Sequence, residues 1–304
     1  MKAPRQDFAA RTGVWSYCGR VVSASSTRLL VLRLDDSDPP GRLGEWLTDA
    51  GLTLDVRALD AGDPVPADLA AHDGLLVMGG AMGAFDDAIA PYLPAVRALL
   101  RTAVSDEVPT LGVCLGHQLL AGANGGTVRR RPDGPEIGAQ LIAKRASAAH
   151  DPLFAELPIT PDVIQWHYDE VSTLPPGAIQ LASSPVCEQQ AFRLGPVAWG
   201  IQFHIETTPD MVCEWAAKHT DLTDWDLDAI VEHAIAVHDD LADVWPGFAA
   251  AFADVVRDPE TAKPAGAAAD GVADPAAVRA ALAAEAAAAR GMPLPMPELR
   301  PRDG

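Results

Sequence analysis

One cysteine in this chain stands between two glycines at the end of an apolar run, in Pro109-Thr110-Leu111-Gly112-Val113-Cys114-Leu115-Gly116-His117-Gln118. Gly-x-Cys-x-Gly spells a nucleophile elbow, where a strand turns sharply into a helix and holds the side chain at the turn in a strained conformation. Small residues two positions to either side let strand and helix pass close together. The helix start presents free N–H groups and its positive dipole end, and both favour the reactive thiolate. Downstream, Val197 to Phe203 reads as a strand running into His204-Ile205-Glu206. Residues two apart on an extended segment share a side, so His204 and Glu206 face one way and Ile205 the other. An imidazole oriented by a carboxylate is the base half of a nucleophilic triad. A third stretch, Gly79-Gly80-Ala81-Met82-Gly83, follows the apolar run Gly74 to Met78. A glycine pair there can turn an N–H inward, and with the N–H of Leu115 it would form an oxyanion hole.

These pieces need a scaffold that brings strand ends together. Arg28 to Leu34 is a short buried-type strand, broken by Asp35-Asp36-Ser37; Pro39-Pro40 open a helix that Gly51 ends. Leu52 to Ala58 and Gly74 to Met78 read as further strands, and Pro91 starts a long helix through Val104. Strands alternating with helices imply a mostly parallel sheet covered on both faces. Right-handed crossovers then place Gly79-Gly80 and Cys114 in one crevice at the carboxyl ends of the strands. After Gly126 the pattern changes to short strand-like pieces: Thr127 to Arg131, Ile137 to Lys144, Val163 to Trp166 and Ile179 to Ser183. Arg129-Arg130-Arg131 reads as a solvated edge. Thr208-Pro209 starts a helix running to about His219, and Asp224 to Val244 reads as one amphipathic helix, continued by Phe248 to Val256. His233 and His238 lack ligand spacing, and no metal site or cofactor is expected.

Composition narrows the partners. The 304 residues are 48% hydrophobic, enough for a sizeable core, and the formal net charge of −19 argues against a nucleic-acid partner. Cys18, Cys114, Cys187 and Cys213 form no C-x-x-C pair, and such sparse cysteines fit a reducing, cytoplasmic setting. No apolar stretch approaches a membrane span, so no membrane partner is expected. The organisation expected is a disordered leader over 1–26, a catalytic domain over 27–220, a helical extension over 221–257, and a linker, Ala-rich helix and disordered tail over 258–304.

Taken in order, MGGAMGAFDD (78–87), PTLGVCLGHQLLA (109–121), EIG (136–138), DPLF (151–154), QWHYDEVSTLPPGA (165–178), QAFR (190–193) and GIQFHIE (200–206) resemble the motifs of class I, triad-type glutamine amidotransferases. The chain is most similar to stand-alone proteins like the glutaminase domain of GMP synthase, over Arg28 to about Trp215. The resemblance implies a flavodoxin-like, doubly wound α/β fold with small added β elements and, beyond it, the helical C-terminal extension. It implies Cys114 as nucleophile, His204 as base and then acid, and Glu206 as its orienting group. Gly80 and Leu115 would supply the oxyanion hole. Gln118 and the backbone around His167, Tyr168 and Asp169 would hold the amino-acid end of the substrate. Two positions depart from the family pattern: Ile205 replaces a usual Pro, and Tyr168 a usual Gly.

The reading that follows is a glutaminase or amidotransferase that cleaves the side-chain amide of glutamine through a Cys114 thioester and delivers ammonia to a synthetase partner. A γ-glutamyl hydrolase acting on γ-glutamyl peptides or amines is the first alternative, supported by Tyr168. A non-catalytic binding protein of the same fold is the second, opposed by the complete Cys-His-Glu set.

Overall fold

The computed structural model describes residues 26–262 apart from 220, 221 and 224. The expected leader up to residue 25, and the expected tail beyond residue 262, lie outside the described residues. The chain runs β1 (Arg28–Arg33), α1 (Gly41–Asp49), β2 (Thr53–Ala58), β3 (Gly74–Val77), α2 (Leu93–Ser105), β4 (Thr110–Val113) and α3 (Leu115–Ala123). Then come β5 (Thr127–Arg130), β6 (Glu136–Leu141), β7 (Ala143–Lys144), β8 (Asp162–His167), β9 (Asp169–Thr173), β10 (Ile179–Ser183), β11 (Ala191–Leu194) and β12 (Ala198–Ile201). Three helices follow: α4 (Pro209–Lys218), α5 (Leu227–Ala236) and α6 (His238–Arg257).

The main sheet has the order β2-β1-β3-β4-β12-β11-β10-β7. From β2 to β12 every pairing is parallel, and β11, β10 and β7 continue it antiparallel. This is the flavodoxin-like doubly wound arrangement, with β5–β9 and β6–β8 as added two-stranded pieces. Its strands read as continuous apolar runs because both faces are covered. Along β1, Leu29 and Val31 enter one core with α1 and α6, while Leu30 and Leu32 enter the other with α2 and α3. Trp199, Trp245, Phe248 and Phe252 fill the first core and are at most 1% exposed. Each such side chain contributes about 1.5–3 kcal/mol of burial free energy.

Several expectations change. The strand expected to reach Phe203 ends at Ile201, and His204 makes only an isolated bridge to Ile164. Two strands escaped the pattern, β9 and β11, the first because its sequence DEVST carries a single apolar residue, Val171. The single helix expected over 224–244 is two, α5 and α6, meeting at Val237. His238 Nδ1 lies 2.6 Å from the Ala234 carbonyl oxygen, the acceptor that a continuing helix would give to the backbone. The arginine run is not simply a solvated edge. Arg131 is 6% exposed and bonds Glu170 and the carbonyls of Gly134 and Val186.

Candidate active site

The elbow explains its own spelling. Cys114 sits at φ 48°, ψ −103°, a conformation that costs a non-glycine residue about 1–3 kcal/mol and is held by its surroundings. Its N–H donates to Ile201 O at 2.8 Å, tying the turn to β12. A Cβ on Gly116 would collide with the Val77 carbonyl, and one on Gly112 with the Gly116 backbone. Strand β4, helix α3 and strand β3 therefore meet at van der Waals distance only because these two residues have no side chain.

A cavity of about 540 Å³ opens over this turn at the carboxyl ends of the parallel strands. Gly80, Cys114, Gln118, His167, Tyr168, Asp169 and His204 all line it. Leu115 and Glu206 are buried and do not line it. The Leu115 side chain lies 3.2 Å from where a Gly80 Cβ would be, so the two residues expected to form an oxyanion hole are neighbours. Among the described residues no backbone acceptor takes the Gly80 N–H.

His204 and Glu206 are brought together although they have left the strand. Glu206 Oε1 lies 2.6 Å from His204 Nδ1, and Glu206 Oε2 accepts from the Ile205 N–H at 2.9 Å. Both side chains are at most 2% exposed. Burial opposes charge on His204, but the Glu206 carboxylate and then Cys114 outweigh it and hold the imidazole pKa well above its ordinary value. Among the described residues His204 Nε2 has no hydrogen-bond partner. Its ring packs on Trp215, 4.7 Å between centroids. The backbone is anchored by two bonds between His204 and Ile164 of β8, and by Arg42 N–H donating to Glu206 O. Ile205, in place of the usual Pro, is fully buried away from the cavity.

Elsewhere on the wall, the Gln118 amide donates to Asp169 O and to Gln202 Oε1, both at 3.2 Å. The Gln202 amide lies 3.7 Å from Cys114 Sγ. His167 turns its ring away, bonding Asp169 O at 2.8 Å and Glu136 Oε2 at 2.9 Å. Glu136 also accepts from Ser184 and Gln190, so Glu136 and His167 form a buried strut beneath the loop. Nearby Cys187 could only join them as a metal ligand by breaking these bonds, and burial pushes its thiol up to about 12. His117 is driven by burial down to about 3, which keeps it neutral.

Asp38, Trp166, Trp215 and His219 also belong to this wall, and sequence reasoning did not single them out. Tyr168 stacks on His219 with centroids 5.7 Å apart, and the Arg130 guanidinium lies over the Tyr168 ring, 4.3 Å from its centroid. Trp166 packs on both Trp215 and His219. The position expected to be glycine thus anchors an aromatic wall. Asp38 is 6% exposed and its carboxyl lies close to both His204 and Glu206. The only sequence signal for it was its place in an acidic break after the first strand.

Residues 44–211 match the family model described as glutamine amidotransferase class-I. The chain is 31% identical to γ-glutamyl peptidase 4 of Arabidopsis thaliana, over 55% of this chain and 66% of that protein, so it spans just under two thirds of that relative's length. It is 32% identical to a glutamine-hydrolysing GMP synthase subunit of Methanosarcina mazei, over 52% of this chain and 77% of that one. A solved glutamine amidotransferase from Thermotoga maritima superposes with a TM-score of 0.67 at 27% identity, over 77% of this chain and 99% of that one. The ordered motifs, the shared fold and the family match agree: the chain belongs to the class I glutamine amidotransferases.

Proposed function

We propose that this chain hydrolyses the side-chain amide of glutamine through a thioester on Cys114. The observation that carries the reading is the pairing of a strained Cys114 with the unpartnered Nε2 of a His204 held by Glu206, on one cavity wall. Cys114 Sγ attacks the amide carbon, and the Gly80 and Leu115 amides take the oxyanion, each such donor typically contributing about a hundred- to a thousandfold in rate. The His204 imidazolium gives its proton to the departing nitrogen. Neutral His204 then takes a proton from water as the thioester hydrolyses. Relatives named as the glutamine-hydrolysing subunit of GMP synthase support delivery of the ammonia to a separate synthetase.

A second reading keeps the chemistry and changes the leaving group to a peptide or amine. Tyr168 and the aromatic wall favour it, as does the similarity to proteins named γ-glutamyl peptidases. Glutamate release measured over glutamine and a panel of γ-glutamyl peptides and amines separates the two. A glutamine-like electrophile should label Cys114, and Cys114→Ala should abolish turnover with the fold intact. A Cys114→Ala protein that turned over at the wild-type rate, or a wild type that turned over nothing in the panel, would remove both readings.

A further inference from the structure

A second carboxyl group reaches the catalytic imidazole. Asp38 sits in the loop between β1 and α1, in the cavity wall. One of its oxygens, a ring nitrogen of His204 and an oxygen of Glu206 all lie within 4.8 Å of one another. Its Oδ1 is buried without a hydrogen-bond partner among the described residues. Its Oδ2 lies over Gly79, 2.8 Å from where a Cβ would stand, so a side chain at 79 would push the carboxyl aside. A buried carboxyl with an unmade bond costs free energy, and such a group calls for an explanation. The charged groups that face it are His204 and Glu206 from the segment after β12, Asp35 from its own loop, and Lys218 from α4. Burial dominates and pushes Asp38 up to about 7, against the pull of His204.

The two halves of the reaction make unequal demands on His204. In the first, the S–C bond forms, the C–N bond breaks, and the Nε2 proton leaves with the amine. The thiolate and imidazolium charges disappear together. In the second, the water oxygen bonds the acyl carbon, its proton passes to Nε2, and the C–S bond breaks to return the thiolate. There the imidazolium forms before the thiolate has come back, with Glu206 on its other nitrogen.

We propose that Asp38 is a positioning residue for this second half: its carboxylate steadies the His204 imidazolium that forms as water attacks the thioester, when the Cys114 thiolate is not there to do so. The inference rests on the thioester reading above. It places a second acid on the base without a direct role in attack.

The test compares full-length wild type with Asp38→Asn, an isosteric change, using the best substrate of the panel. A charge within about 4–6 Å moves a partner's pKa by roughly one to three units. The variant should therefore lose about tenfold or more in kcat, with KM falling in step so that kcat/KM stays within about threefold. Its acid limb in kcat should move at least about one unit to lower pH, and the Cys114 thioester should accumulate in quenched samples read by intact-protein mass spectrometry. An unchanged kcat overturns the proposal. So does a parallel fall in kcat and kcat/KM with an unmoved limb, the mark of a merely structural role. If the variant fails to fold, decay of the wild-type thioester after a pH jump decides: two ionisations support Asp38, and a single one overturns it. A wild type that forms no thioester at all defeats the parent reading, and this one with it.

Discussion

Replacing Glu206 by Gln tests the base more sharply than removing it. Both carboxylate oxygens accept: one faces His204 Nδ1 at 2.6 Å, the other the Ile205 N–H at 2.9 Å. An amide has one acceptor. If its oxygen stays on Nδ1, its NH2 meets the Ile205 N–H, donor against donor, at a position buried from solvent. If it flips, the NH2 faces Nδ1 and drives the ring proton to Nε2, the wrong tautomer for a base. The charge also goes. Two unit charges about 4 Å apart at an effective dielectric near 20 interact by about 4 kcal/mol. His204 is held well above its ordinary value, with burial as the largest opposing influence. Without Glu206 that burial acts against less opposition, so the imidazole pKa falls. Together these predict a loss of about a thousandfold or more in kcat/KM, in line with the cost of a wrong tautomer in other triads. Steady-state glutamate release gives the first number. The pH dependence of kcat/KM gives the second, and its His204 limb should move to lower pH. A Glu206→Gln protein within about threefold of wild type, with an unmoved pH profile, would refute the reasoning.

Other outcomes follow from the same geometry. Asp38 is raised in the fold to about 7 from an ordinary value of 3.8, so its contribution to stability is present below pH 3.8 and lost as pH rises through about 7. Asp38→Asn should therefore raise stability at pH 8, by about 4 kcal/mol at most, and leave it little changed near pH 4; denaturant melts at the two pH values check the sign. Gly116→Ala drives a methyl into the Val77 carbonyl and should lower stability by about 3 kcal/mol, a fall of roughly 6–12 °C in Tm by calorimetry. Tyr168→Gly removes the ring that contacts both Arg130 and His219 and should shift the ratio of kcat/KM for γ-glutamyl peptides against glutamine; an unchanged ratio would free Tyr168 of any part in selectivity.

The elbow was legible in sequence because its demand is local: close approach of β3, β4 and α3 can be met only by glycine at 112 and 116. The pairing of His204 with Glu206 was legible from its spacing, although the reason given for it, a continuing strand, was not the one the chain uses. The parallel sheet showed in apolar runs buried on both faces. What stayed hidden depends on distant neighbours. Asp38 reads as one more acid in Asp35-Asp36-Ser37-Asp38 until Gly79 and His204 close over it. The break at Val237 is invisible because Ala234, Val237 and Leu241 keep an unbroken apolar face across it, while the interruption comes from the His238 ring.

The anchor on His204 has a mechanical consequence. Its backbone N–H and carbonyl both bond Ile164 of β8, whose end carries His167 and leads into the bend at Tyr168. Glu136, on the partner strand β6, braces that same end from below. Cavity wall and His204 are thus tied to the same pair of strands. The bend that lines the pocket and the chain segment that carries the imidazole therefore rest on the same two-stranded ladder. On the mechanism proposed above, pocket and base thus share one support, and a substitution that loosens β6 or β8 reaches both.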